Sequence, residues 1–289
     1  MNPQDIFETI SSQYFQLTNS EKKVADYILA HRIEAQYMSI SELAEECEVA
    51  DATISRFCRR LGLAGYNAFK LELAKASMAT RTIAHPTSEA PSEMAGQEQD
   101  FRGLCQRRFH ESVSAMEQTM KLLSSSVVNR VVDLFDTSKR IYCMGQGSSM
   151  VLAEEAWTMF STVSSKFLFV PDSHLQMNAL ALMEENDLIL FFSYSGSTKE
   201  LQDILEVAGE KKVKVILVTR FPKSPGGQVA DVVLQCGSNE GPLQAGSATA
   251  RMAQLFVLDV LFGVFCERNV EQTTENRERI AEAVSRLHL

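Results

Sequence analysis

The sequence predicts two unlike halves: an all-α N-terminal domain, then an α/β domain on a five-stranded parallel sheet. Residues 1–76 show apolar residues at helical spacing and no convincing strand. From Lys139 on, short apolar runs alternate with helical patterns, as in a parallel sheet with helices on both faces. Between the halves, residues 79–100 (ATRTIAHPTSEAPSEMAGQEQD) hold two prolines, many small polar residues and no apolar period. That composition reads as a mobile linker. The expected division is residues 1–77, a linker over 78–104, and a second domain over 105–289.

Taken in order, Thr18-Asn19-Ser20-Glu21 is a capping box, followed by Val24, Tyr27 and Ile28 at core spacing. A second box, Ser39-Ile40-Ser41-Glu42, opens a helix over 40–47 with Ile40, Leu43, Ala44 and Cys47 facing inward. Residues 48–50 turn, Asp51 is placed to cap, and the next helix stops at Gly62. A further helix runs from Tyr66 to about Ser77 and carries Phe69, Leu73 and Ala76.

Helix 40–47, the turn and helix 52–61 have the lengths of a helix-turn-helix. In that motif the second helix enters the major groove of DNA. Its outward residues here are Ala52, Thr53, Ser55, Arg56, Arg59 and Arg60, opposite Ile54, Phe57, Cys58 and Leu61. Arginine reads guanine and pairs with phosphate. Arg56 is the candidate for a base or backbone contact, and Arg59 and Arg60 for phosphate contacts. The preceding helix is acidic (Glu42, Glu45, Glu46, Glu48) and is expected to face away from phosphates. A protein-docking module with a solvated basic face fits the same pattern. The net charge of −9 opposes DNA binding unless a local basic patch carries it.

Helical patterns return over 101–121 and 124–136. Candidate strands follow at 140–144, 166–170, 187–193, 213–219 and 231–235, with helices at 148–162, 174–184, 198–210 and near 226. Helices over 245–267 and 275–287 finish the chain. The first of these is apolar more widely than one core face requires, which suits either a fully buried helix or a subunit interface.

Everything centres on Phe191-Phe192-Ser193-Tyr194-Ser195-Gly196-Ser197-Thr198-Lys199-Glu200, where a buried strand becomes a helix. Four hydroxyls beside a helix N-terminus make an anion cradle. A Ser-rich turn satisfied by its own backbone, with Thr198 as N-cap, is the plainer alternative. Upstream, Gly145-Gln146-Gly147-Ser148-Ser149-Met150 begins like a dinucleotide fingerprint, but Met150 stands where the third glycine is needed. No Walker A motif occurs, and Ser195 lacks the flanking glycines of a nucleophile elbow.

The six cysteines show no C-x-x-C spacing, so neither a zinc site nor a redox pair is suggested, and no cofactor or metal is expected. The N-terminus lacks the layout of a signal peptide. The greasiest run, 255–266, is shorter than the ~20 residues that span a bilayer. A cytoplasmic protein is expected.

Two stretches together resemble the RpiR family of bacterial transcription regulators: LTNSEKKVADYIL with SISELAEECEVADATISRFCRRLGLAGYNAFK, and IYCMGQGSS with FFSYSGSTKE. The first is similar to that family's helix-turn-helix domain and the second to its SIS (sugar isomerase) domain. The resemblance implies a flavodoxin-like sheet that holds a phosphosugar, with the phosphate on hydroxyls from two turns. Carried over residue by residue, the site falls on Ser193, Ser195 and Thr198 in one turn and on Gly147, Ser148 and Ser149 in the other. Ser197 fills the variable position. Glu240, in the loop Ser238-Asn239-Glu240-Gly241-Pro242, is a candidate for closing over the sugar, or else a solvated acid. The implied protein is a non-enzymatic regulator, at least dimeric, that binds a pseudo-palindromic operator and responds to a sugar phosphate. The competing reading is a phosphosugar isomerase with a docking module, its base drawn from His174, Glu154 or Glu240.

Overall fold

The computed structural model describes residues 5–83, 93–238 and 248–286. The chain divides into two units within one continuous helix, at Arg108 and Phe109.

The N-terminal unit contains α1 (Ile6–Gln13), α2 (Asn19–Ala30), α3 (Ile40–Glu46), α4 (Asp51–Arg60) and α5 (Tyr66–Ile83). Both expected capping boxes form. The Thr18 amide donates to Glu21 Oε2 at 2.9 Å, and that of Ser39 to Glu42 Oε2 at 2.8 Å. Ile10, Val24, Ile28, Leu43, Ile54, Phe57, Phe69 and Leu73 form one core. Glu48 takes φ +51° in the α3–α4 turn, and Gly62 takes φ +84° just past α4. α4 begins one residue earlier than its pattern suggests. Ala50 holds the N-cap position, and Asp51 instead accepts from Ser41 Oγ at 2.8 Å. Burial pushes the Cys47 and Cys58 thiols up to about 11 and about 12, so both stay protonated.

Much of the expected linker is helical: α5 continues to Ile83, and α6 (Glu93–Leu122) starts eight residues before the pattern at 101. α7 (Ser125–Thr137) follows, capped by Ser124.

The second unit runs β1 (Arg140–Gly145), α8 (Met150–Ser161), β2 (Phe167–Phe169), α9 (Ser173–Leu182), β3 (Asp187–Phe192), α10 (Lys199–Lys211), β4 (Lys214–Thr219), α11 (Pro225–Val229), β5 (Val232–Gln235), α12 (Ala248–Arg268) and α13 (Val270–Ser285). All strands pair parallel in the order β2-β1-β3-β4-β5. Period-two alternation sends Ile141, Cys143, Leu188, Leu190, Phe192, Ile216 and Val218 into one core, which also takes residues of α7, α8 and α12. It sends Tyr142, Met144, Ile189, Phe191, Val215 and Leu217 into the other, with residues of α9 and α10. Both faces of the central strands are covered, which is why these strands read as unbroken apolar runs. α12 has 21 residues, enough to cross a bilayer by length, yet Ala253, Val257, Leu258, Leu261 and Phe265 go into the first core. α13 begins at Val270, five residues before the sequence pattern places it.

Candidate functional site

From β1 the chain passes to β2 on one side, and from β2 it returns to β3 on the other. The gap between the carboxyl ends of β1 and β3 is therefore the topological switch point, where ligands of such sheets bind. Gly145 pairs with Phe192, so the turns leaving the two strands start level with each other.

The turn after β3 is shaped by its glycine. Gly196 has φ +60°, and a Cβ there would lie 2.0 Å from Ser224 Oγ, so only glycine fits against α11. The Gly196 amide donates to Ser193 Oγ at 3.1 Å, and its carbonyl accepts from Gly226 at 2.9 Å. Ser193 is only 4% exposed. Its amide donates to the Val218 carbonyl, extending the ladder one residue beyond β3. Ser195 and Ser197 are exposed, and the Ser197 amide donates to Ser195 Oγ at 3.3 Å.

Thr198 departs from the plainer reading of this turn, in which it caps α10. It occupies the N-cap position of α10 with extended backbone (φ −70°, ψ 147°), but its side chain caps nothing. Its Oγ1 is buried and has no partner. An N-cap threonine would ordinarily spend that hydroxyl on the helix, as the Thr18, Ser39 and Ser124 hydroxyls and the Asp172 carboxylate do on theirs. The first amides of α10 are thus left without a side-chain cap, beside an unspent hydroxyl.

The second turn is similarly built. A Cβ on Gly145 would come within 2.7 Å of the Ser149 carbonyl oxygen, and Gly147 has φ +55°. Buried Gln176 clamps its base: Nε2 donates to the carbonyls of Gly145 (3.1 Å) and Val170 (2.9 Å), and Oε1 accepts from Gln146 Nε2 at 2.7 Å. Ser149 starts α8 without a side-chain cap bond, and Ser148 is exposed. Next to these turns, a cleft of about 190 Å³ is lined by Ser173, His174 and Met177 of α9 and by Glu200, Asp203 and Ile204 of α10. His174, weighed above as a base, lies in this cleft. Glu240 lies outside the described residues. No group of three or more metal-ligating side chains occurs among the described residues.

In the N-terminal unit, α4 exposes Arg56 and Arg59, and Ser55 is half-buried. Two residues expected on that face are placed otherwise. Thr53 is 6% exposed, and its Oγ1 accepts from Arg56 Nη2 at 3.2 Å. Arg60 turns back on the protein: its Nε lies 3.2 Å from Glu21 Oε1, and its Nη1 donates to the Gln16 carbonyl at 2.9 Å. Burial raises the Glu21 carboxyl. The Thr18 amide and hydroxyl, with the charges of Arg60 and Arg56, outweigh that and hold it below its ordinary value. Sequence spacing alone does not reveal this pair, because its partners are joined only by the packing of α4 on α2.

Known proteins agree with this architecture. Residues 4–80 match the helix-turn-helix domain of the rpiR family, and residues 134–263 match the SIS domain. An uncharacterized HTH-type transcriptional regulator of Thermotoga maritima is 30% identical over 284 residues, 98% of this chain and 99% of its own. The HTH-type transcriptional regulator HexR of Escherichia coli is 29% identical over 97% of this chain and 94% of its own. Among solved structures, the Vibrio vulnificus NanR protein complexed with ManNAc-6P shares the fold, with TM-score 0.83 and 24% identity over 98% of each chain.

Proposed function

From the premise that this chain belongs to the RpiR family of helix-turn-helix transcriptional regulators with an SIS domain, we propose that a sugar phosphate bound at the β1–β3 switch point controls its grip on DNA. The observation that carries the sensor half is the start of α10, where a buried hydroxyl without a partner and amides without a side-chain cap lie in the same turn as Ser193, Ser195 and Ser197, level with the turn after β1. A dianion satisfies all of these groups at once. Gly147, Ser148, Ser149, Ser193, Ser195, Ser197 and Thr198 hold the phosphate. The sugar body lies in the cleft between α9 and α10. Glu200 and Asp203 there accept hydroxyl hydrogens, and Met177 and Ile204 pack against the ring. Similarity to NanR, solved with ManNAc-6P, supports this chemistry.

On the DNA side, α4 enters the major groove with Arg56 and Arg59 outermost and half-buried Ser55 beside them. Arg56 reaches a base edge or the backbone, and Arg59 a phosphate. The protein acts in the cytoplasm as a homodimer or larger homo-oligomer on a pseudo-palindromic operator. Residues 1–77 bind DNA and residues 105–289 sense. No catalytic step is assigned.

The test is a thermal-shift series with glucose 6-phosphate, ManNAc-6P and their unphosphorylated forms. Phosphorylated compounds raise the apparent Tm by mass action, and Ser195→Ala abolishes the shift while sparing DNA affinity without sugar. Equal shifts with unphosphorylated sugars, or turnover of a hexose phosphate, refute the reading.

A further inference from the structure

Tyr194 lies between two of the site serines, in the position of the turn that no phosphate contact requires. Its ring packs edge-on against Phe221, with centroids 5.8 Å apart. Its backbone carbonyl accepts from Thr219 Oγ1 (3.0 Å) and the Arg220 amide (3.1 Å), which fastens the turn to the end of β4. Its hydroxyl donates to the carbonyl of Ser238 at 2.8 Å. That carbonyl also accepts from Arg220 Nε at 3.1 Å.

Ser238 lies just beyond β5, next to a second fixed point. The Gly237 amide donates to Thr119 Oγ1 of α6 at 2.9 Å, and Thr119 Oγ1 donates to the Ala115 carbonyl at 2.7 Å. Thr119 is completely buried. A Cβ on Gly237 would lie 2.4 Å from Gln118 Cβ and 2.8 Å from the Thr119 nitrogen, so strand exit and helix touch without slack. The Cys236 amide, donating to the Thr219 carbonyl at 2.9 Å, holds the same exit to β4.

Resting on the sugar-phosphate reading above, we propose that Tyr194 passes occupancy of the phosphate turn to α6, through Ser238 and the Gly237–Thr119 contact. The device has two states at low cost. When the turn rearranges around a phosphate and the Tyr194 hydroxyl leaves Ser238, the carbonyl keeps its bond from Arg220, so no buried acceptor is orphaned. The phenol is half-buried rather than sealed in the core. The strand exit, with one tether fewer toward the site, shifts against α6, and Thr119 carries that shift into a helix that continues unbroken to Glu93. A ligand acts on this equilibrium only through its unequal affinity for the two states.

The test is hydrogen exchange over residues 110–122 of the full chain, with and without ManNAc-6P, glucose 6-phosphate and inorganic phosphate, alongside ligand titration. The wild type changes its exchange in α6 when a phosphate compound binds. Tyr194→Phe binds the same compound within about threefold, yet α6 no longer responds. The effect of ligand on DNA affinity, about 5–150-fold where two sites are coupled, falls toward unity. Thr119→Val, which removes the hydroxyl and keeps the shape, gives the same uncoupling at the other end. An α6 response that survives in Tyr194→Phe and Thr119→Val, or a wild type that binds ligand without any change in α6, overturns the inference and leaves the sensor reading intact. A wild type that binds no phosphate compound overturns both.

Discussion

Replacing Arg60 with Gln tests whether this arginine serves the fold, while Arg59 makes the phosphate contact proposed for it. Glu21 is 5% exposed, whereas Arg60 is half in solvent. An exposed ion pair contributes about 0–1 kcal/mol. Removing one partner of a fully buried pair costs about 3–5 kcal/mol. This pair lies between those limits, and Glu21 keeps its two donors from Thr18, so the expected loss is about 1–3 kcal/mol. Urea denaturation of the full chain measures it. Glu21 titrates below its unfolded value, so the pair's contribution is complete above the ordinary carboxylate range and is lost as pH falls through the folded pKa. The gap between wild type and Arg60→Gln should close in acid. Binding to a duplex selected for affinity, measured between 50 and 200 mM salt, gives the second readout. Each phosphate contact contributes about 0.9 to the slope of log affinity against log salt. Arg59→Gln should lower the slope by that amount, and Arg60→Gln should leave it unchanged. A slope reduced by about 0.9 in Arg60→Gln, with stability intact, would refute the assignment.

Gly196→Ala forces a methyl group onto Ser224 Oγ at a left-handed backbone position. It should cost about 1–3 kcal/mol and abolish phosphate binding, read by denaturation and titration. Glu200 and Asp203 line the cleft assigned to the sugar body, so the site should reject a carboxylated sugar phosphate. 6-Phosphogluconate should bind more weakly than glucose 6-phosphate, and the double substitution Glu200→Gln, Asp203→Asn should narrow the gap. Equal affinities in the wild type would remove the acids from the site. Phe57→Ala empties the middle of the N-terminal core and should cost about 3–5 kcal/mol, measured as loss of helix signal in urea.

The sheet was legible because strands buried on both faces have little choice of residue: between their ends, the runs LILFF of β3 and VILV of β4 hold no polar side chain. Turns were legible where chemistry is local, as at Thr18/Glu21, Ser39/Glu42 and Gly62. Contacts between residues far apart in the chain were not. Thr53 and Arg60 share the helical face of Arg56 by spacing, yet the folded chain buries one, and Glu21 of α2 captures the other. The bond from Tyr194 to Ser238 joins two strand exits, and neither sequence neighbourhood hints at it. Helix in the 78–104 stretch was missed because its composition imitates a linker. Ala, Thr, Glu and Gln sustain a helix there without an apolar stripe.

The two turns of the switch point come from separate parts of the chain and meet only because β1 and β3 lie side by side. No fragment holding only one of them contains the proposed site. An effector gripped by both turns therefore opposes every opening that parts those strands. In a cell this would make the regulator's lifetime against proteases rise with the sugar phosphate proposed to bind it, so that abundance and activity answer to one concentration.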